Sequence, residues 1–259
     1  MYWTDIDHSF CEESLLGLPE YYNAISSLTI VLFGIHGLMH INNELFVDIL
    51  YSNLIVVGFG SVGYHWYGNI GWGLFDEIPM ILAIFTGIIY ADNVYFLIQK
   101  KLCENNLRTI TRLIRNRKIK LLSYLFVMSF FTIINVMSNY RKIFPAIFAS
   151  VAIYLYYKIF LLLYITDSYI KNQVTSKVYN SLITIALSGA VWITTEISCK
   201  YVKHSIFLIG HPLWHFFIGH GFYNLIQAVY FIKLNDLNYK LQYKTIYLLK
   251  IDYQKNHIL

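Results

Sequence analysis

The sequence predicts an all-α membrane protein, folded as a single domain of seven transmembrane helices over residues 1–259. Of its 259 residues, 57% are hydrophobic and only 14% are charged, whereas a soluble domain usually carries about 25% charged residues. Long apolar runs also recur along the chain, each near or above the roughly 20 residues that a membrane-spanning helix needs. No block between these runs is long enough to fold as a soluble domain of its own.

We place the helices on these apolar runs together with their neutral flanks. The connections are short except for 99–118 and 166–177, which we expect to be loops. In chain order, the predicted helices cover residues 21–41, 46–67, 73–98, 119–138, 143–165, 178–199 and 208–232.

The distribution of Lys and Arg predicts the orientation of the chain. Of the 20 Lys and Arg residues, 15 lie on the side that holds 99–120, 166–177 and the tail 233–259, and four lie on the other side. Because basic residues are enriched in cytosolic loops, we expect a cytosolic C-terminus and a non-cytosolic N-terminal segment, residues 1–20. The net charge of +5 therefore reflects topology, and we expect no nucleic-acid partner.

The N-terminal segment and the cysteine count argue against two further classes. The segment is acidic and lacks the basic region of a cleavable signal peptide. Three cysteines are too few for a small scaffold held together by disulfides. We expect a multi-pass protein of the endomembrane system (ER or Golgi) or of the plasma membrane.

Polar side chains gather at the non-cytosolic ends of three predicted helices. His65 lies in the last turn of the second helix, Asp76 near the start of the third, and His211 with His215 in the first turns of the seventh. Ser61 precedes His65 by four residues and His211 precedes His215 by four, so each pair shares one helix face. Because ionisable groups within a membrane are expensive and usually functional, these five residues predict a site at one depth.

Three histidines in this arrangement are suited to a metal ion. Zinc binds imidazole nitrogen, and in catalytic sites it keeps a fourth position for water. We expect His65, His211 and His215 to be zinc ligands, whereas His220 lies about 180° around the helix from His211 and fits poorly. The alternative is that these histidines only pack or form hydrogen bonds within an inert bundle.

Three stretches resemble motifs of the alkaline ceramidases. GFGSVGYHWYGNIGWGLFDEIPM (58–80) resembles their G-x-G-S-x-x-x-H…D-E-x-P-M block, and HPLWHFFIGHGFY (211–223) resembles the H-x-x-W-H block of their last helix. FCEESLLGLPEYYNAISSL (10–28) resembles their N-terminal C-E-x-N…E-x-x-N-x-x-S-N-L segment. The wider superfamily, which includes adiponectin receptors and lipid-remodelling proteins, shares the Ser, Asp and three-His set, but D-E-x-P-M and C-E-E favour the ceramidases.

The resemblance implies a seven-helix bundle with an intramembrane zinc site, in which Ser61 and Asp76 lie beside the catalytic water. It also implies a disulfide between Cys11 and Cys199, both on the predicted non-cytosolic side, where disulfides persist. Cys103 lies in a predicted cytosolic loop and is expected to be a free thiol.

The resemblance further implies a calcium ion near the N-terminus. Glu12 and Glu20 match the carboxylate positions of the family, and calcium takes about six to eight oxygen ligands. The chain departs from the family at 9–10, where Ser-Phe replaces Asp-Trp, and at Ser14, which replaces an Asn and which we include among the expected calcium ligands. We expect Asp7 to supply the missing carboxylate. The alternative is a solvated acidic tail.

These expectations combine into zinc-dependent, intramembrane hydrolysis of ceramide, a membrane lipid, to a sphingoid base and a free fatty acid. Asp76 would orient the attacking water and take its proton, and Ser61 would hydrogen-bond the developing oxyanion. The structural alternative for Asp76 is a helix cap, with Glu77 facing solvent beside it. Three other functions stay open: a receptor-like protein of the adiponectin-receptor kind, a GPI-lipid-remodelling factor, and a structural membrane protein whose helices are held together by a zinc ion.

Overall fold

The computed structural model describes residues 10–40, 44–103, 107–137, 144–236, 242–244 and 250–252. These residues are almost entirely helical, as predicted, although two short strands, β1 (Gln242–Lys244) and β2 (Lys250–Asp252), pair antiparallel near the C-terminus. A five-residue 3-10 helix, Ser205–Ile209, precedes the last long helix. The α-helices are α1 (Cys11–Leu16), α2 (Tyr21–His40), α3 (Leu45–Tyr67), α4 (Ile70–Leu102), α5 (Leu107–Met137), α6 (Phe144–Ile165), α7 (Ser168–Tyr201) and α8 (Gly210–Asp236).

The prediction of loops was wrong for two segments, which are helical instead. Residues 107–118 form the first turns of α5, and residues 168–177 form the first turns of α7. Neither segment contains Gly or Pro, and the first is rich in Arg and Leu, which are good helix formers. At the start of α7, the Asp167 carboxylate accepts the backbone N–H of Tyr169 (2.9 Å). Charged residues end an apolar run, but they do not end a helix, because a helix can continue beyond the membrane.

Among the residues that the structure describes, five helices are long and apolar enough to cross a membrane, namely α2, α3, α4, α6 and α7. Large apolar side chains on these helices are exposed, as expected for surfaces that face lipid. Leu32, Phe59 and Ile153, for example, are each more than half exposed. The chain is therefore a helical membrane protein with several spanning helices.

The contacts of the chain group it into two compact units, of which the first comprises Met1–Met80 and Tyr179–Tyr223. In this unit, α2 and α3 pack closely because small residues lie between them. A Cβ atom on Gly58 would lie 2.9 Å from the backbone nitrogen of Val31, closer than real side chains approach. Glycine at this position therefore lets the two helix backbones come together.

The second unit comprises Ile81–Val178 and Asn224–Leu259. It contains an ion pair between two apolar helices, in which Lys158 Nζ of α6 lies 3.1 Å from Asp92 Oδ1 of α4. The Tyr124 hydroxyl of α5 donates to the other oxygen of Asp92. Both charges thus have partners within the unit, as buried charges require.

Candidate metal centre

Three histidines from α3 and α8 converge in the first unit. One ring nitrogen from each of His65, His211 and His215 lies within 4.8 Å of the others, and all three residues are buried. The ring centroids of His211 and His215 are 4.6 Å apart, and that of His65 is 4.8 Å from that of His211. In the part of the chain that the structure describes, no other group of three His, Cys, Asp or Glu residues has this spacing.

The end of α3 fixes the place of His65. Gly68 ends this helix with φ at 65°, a left-handed conformation that glycine adopts without strain, and its N–H donates to the Tyr64 carbonyl (2.8 Å). The chain then turns, and α4 begins at Ile70. His65 therefore lies in the last turn of α3, as predicted from the sequence.

Asp76 is linked to the histidines through two serine hydroxyls. A Cβ atom on Gly60 would lie 2.8 Å from the backbone nitrogen of Asp76, so glycine lets α3 and α4 touch here. The Ser61 hydroxyl hydrogen-bonds the Asp76 carboxylate, and the Ser27 hydroxyl donates to Ser61 Oγ (3.0 Å). Ser27 Oγ also lies 3.3 Å from Nδ1 of His215. A continuous series of polar contacts therefore joins the carboxylate to one ring of the cluster.

The alternative in which Asp76 caps a helix does not fit this arrangement. Because α4 begins at Ile70, Asp76 lies in the second turn of the helix rather than at its N-cap. Glu77 is buried, not exposed to solvent as that alternative required.

Two of the histidines have a hydrogen-bonding partner at Nδ1. The Glu20 carboxylate contacts Nδ1 of His65, and both residues are almost fully buried. The Ser26 hydroxyl lies 2.8 Å from Nδ1 of His215. Partners of this kind hold an imidazole ring so that its other nitrogen, Nε2, is presented to a metal.

Glu196 of α7 belongs to the same site, and the sequence interpretation missed it. Its Oε1 atom lies 3.5 Å from Nδ1 of His211, and its Oε2 atom accepts the backbone N–H of Cys11 (2.8 Å). A signal was present, because an acidic residue within an apolar helix is expensive and usually functional.

The predicted disulfide between Cys11 and Cys199 is confirmed, with a Cα–Cα distance of 5.7 Å. It ties α1 to the last turns of α7. Phe10, the residue before Cys11, packs against the cluster, with its ring centroid 4.7 Å from that of His211 and 5.4 Å from that of His65. The disulfide thus keeps an aromatic ring beside two of the three histidines.

The acidic residues expected to bind calcium have other contacts. The Glu12 carboxylate accepts the backbone N–H groups of Tyr22 (2.8 Å) and Asn23 (2.9 Å), so it caps the start of α2. Burial raises the pKa of Glu12 above its usual range, although these two hydrogen bonds act in the opposite direction. The Ser14 hydroxyl donates to a carbonyl of its own helix, and Asp7 lies outside the described residues. The calcium site stays a prediction.

Comparison with known proteins identifies the family. The sequence profile of a family described as Ceramidase matches residues 6–255. A Dictyostelium discoideum protein named "Putative alkaline ceramidase dcd3A" is 27% identical over an alignment of 252 positions, and the match covers 85% of this chain and 82% of that protein. The predicted enzyme class, an amidohydrolase acting on ceramide, is confirmed by this match. The chain belongs to the ceramidase family.

Proposed function

We propose that the chain hydrolyses ceramide to a sphingoid base and a free fatty acid, and that the reaction depends on zinc held within the membrane-embedded bundle. The observation that carries this proposal is the buried cluster of His65, His211 and His215. The serine-linked carboxylate of Asp76 supports it, because a metal hydrolase also needs a group that moves a proton.

The donor set of the cluster fits zinc. Three imidazole nitrogens are the protein ligands of a well-known class of catalytic zinc site, in which the fourth position is kept for water. Oxygen atoms beside Nδ1 of the rings are the usual outer partners of histidine ligands. His65, His211 and His215 would therefore hold the ion through Nε2.

The chemistry divides between the ion and the residues of the chain. Zinc bound at the cluster would polarise the amide carbonyl and make water more acidic. Asp76 would accept the proton of the attacking water as the water oxygen bonds to the acyl carbon. Once protonated, Asp76 can donate a hydrogen bond to Ser61 Oγ while it keeps its proton, and the Ser61 hydroxyl can then turn its own hydrogen bond to the developing oxyanion. Asp76 would finally pass its proton to the leaving nitrogen, releasing the sphingoid base and leaving the acyl group as a fatty acid.

Aromatic side chains near the cluster support a position at the membrane surface. Trp66 and Tyr67 directly follow His65 and are both exposed, and Tyr21 packs edge-on against Trp66. Trp and Tyr are enriched where a membrane meets water. We propose that the site faces the non-cytosolic side of an endomembrane or the plasma membrane, with all seven long helices crossing the bilayer.

A lipid hydrolysis assay tests the proposal. Purified protein is incubated with ceramide and, as a matched control, with an ester lipid that carries the same acyl chain. We expect free fatty acid from ceramide, loss of this activity after a chelator has removed the metal, and recovery on adding zinc. Hydrolysis that persists in metal-free protein would contradict zinc dependence, and absence of any product from ceramide would contradict the substrate.

A further inference from the structure

We infer that Glu196 is a positioning residue of the metal centre, and that its carboxylate holds His211 in the orientation that binds the ion. The inference rests on the proposed zinc site, because it assigns a second residue to one of the proposed ligands. It concerns how the ligand is held, since Glu196 itself is not placed in contact with metal or substrate.

One face of α7 is turned toward His211. Trp192 and Glu196 are four residues apart and therefore share this face. The ring centroid of Trp192 lies 5.1 Å from that of His211, and Glu196 Oε1 lies 3.5 Å from Nδ1 of the same histidine. The latter distance is slightly longer than an ordinary N–H···O hydrogen bond, and a shift of about half an ångström closes the gap.

Burial strengthens the electrostatic interaction between Glu196 and His211. The side chains of His211 and Glu196 are only 6% and 14% exposed, so water screens the carboxylate little. A carboxylate that accepts the Nδ1 proton of an imidazole fixes the ring orientation, directs Nε2 to the metal and makes that nitrogen a stronger donor.

The Glu196 carboxylate is itself anchored. Its Oε2 atom accepts the backbone N–H of Cys11, and Cys11 is bonded to Cys199, one helical turn further along α7. One oxygen therefore ties the carboxylate to the N-terminal segment, which leaves the other beside His211. A carboxylate is suited to position 196 because its two oxygen atoms can make these two contacts at once.

The other two rings of the cluster also have an oxygen atom beside Nδ1. Glu20 contacts Nδ1 of His65, and Ser26 contacts Nδ1 of His215. With Glu196 included, each ring has an oxygen atom of another helix or segment on its Nδ1 side.

Zinc retention measures the role of Glu196 without reference to activity. Wild-type protein and the Glu196→Gln variant are loaded with zinc and titrated with a competing chelator. We expect the variant to bind zinc about 10–100-fold more weakly, as is typical when an outer partner of a ligand is lost. Glu196→Asp, which keeps the charge on a shorter side chain, should recover part of the affinity. Glu44→Gln, the same change at the start of α3, should bind zinc like the wild type.

A double Cys11→Ser, Cys199→Ser variant separates positioning from a structural role, because it loosens the N-terminal segment but keeps the carboxylate. If Glu196→Gln weakens zinc binding no more than this double variant does, or not at all, the inference is wrong. If the wild-type protein binds no zinc that depends on the three histidines, the proposed metal site itself is wrong. The two failures are therefore distinguishable.

Discussion

The first unit contains two histidine pairs with the same spacing of four residues, His211 with His215 in α8 and His36 with His40 in α2. In α8, the pair meets a third ring from α3. In α2, Nδ1 of His40 lies 2.8 Å from the His36 carbonyl, and the two rings stack with centroids 4.1 Å apart. Nδ1 of His36 lies 2.8 Å from the hydroxyl of Tyr223.

The two pairs share one spacing but differ in their surroundings, and the surroundings decide whether a pair can form part of a metal site. Both pairs lie on one helix face, so spacing alone does not distinguish them. The α8 pair has a third imidazole from a neighbouring helix and oxygen atoms from other segments beside Nδ1. The α2 pair instead uses Nδ1 nitrogens for a carbonyl of its own helix and for a tyrosine, which is an ordinary packing arrangement.

Removing one ring from each pair gives the largest expected contrast. His215→Ala should reduce ceramide hydrolysis to the background of the assay, because a site with two imidazoles lacks a ligand that zinc needs. His40→Ala is the matched control and should release fatty acid at close to the wild-type rate. Equal losses in the two variants would show that the pairs do not differ in function.

Asp76→Asn tests the proton-moving group beside the α8 pair. The amide keeps the shape of the carboxylate but not its basicity, so hydrolysis should fall by about 10²–10⁴-fold while zinc stays bound. Asp48→Asn, at the opposite end of α3 from His65, is the control and should have little effect. A rate near that of the wild type for Asp76→Asn would show that this carboxylate is structural.

The disulfide beside the α8 pair should contribute to stability. It joins residues separated by 188 positions, and its removal in Cys11→Ser, Cys199→Ser should lower the free energy of unfolding by about 2–4 kcal/mol. The measurement is thermal unfolding in detergent, with Cys103→Ser as control because Cys103 is a free thiol, as predicted. Unchanged unfolding in the double variant would contradict a stabilising role.

The smallest expected effect concerns the hydroxyl beside His215. Ser26→Ala removes a neutral hydroxyl that lies beside Nδ1 of His215 and also donates to the Asn23 carbonyl. Because no charge is lost, zinc affinity should fall only roughly two- to tenfold. Ser150→Ala is the control, since the Ser150 hydroxyl bonds a carbonyl of its own helix, α6. A loss as large as that expected for Glu196→Gln would show that charge at the outer partner is unimportant.

Hydropathy predicted α2, α3 and α6 to within a few residues, because a bilayer requires an apolar run of nearly fixed length. It failed at the starts of α5 and α7, where helix formers continue past the charges. The sequence also predicted that the three histidines converge, because it placed them at helix ends on the same side of the membrane, the predicted non-cytosolic side. Glu196 could not be assigned in this way, because a single carboxylate has no spacing pattern and its contacts come from two other segments of the chain.

The three-histidine cluster is proposed to hold a zinc ion. Elemental analysis of purified protein, after dialysis to remove loosely bound ions, measures it directly. We predict about one zinc per chain in the wild type and in His36→Ala, and little or none in His211→Ala. Full zinc content in His211→Ala, or a wild-type protein that hydrolyses ceramide without bound metal, would contradict a catalytic zinc site at the three histidines.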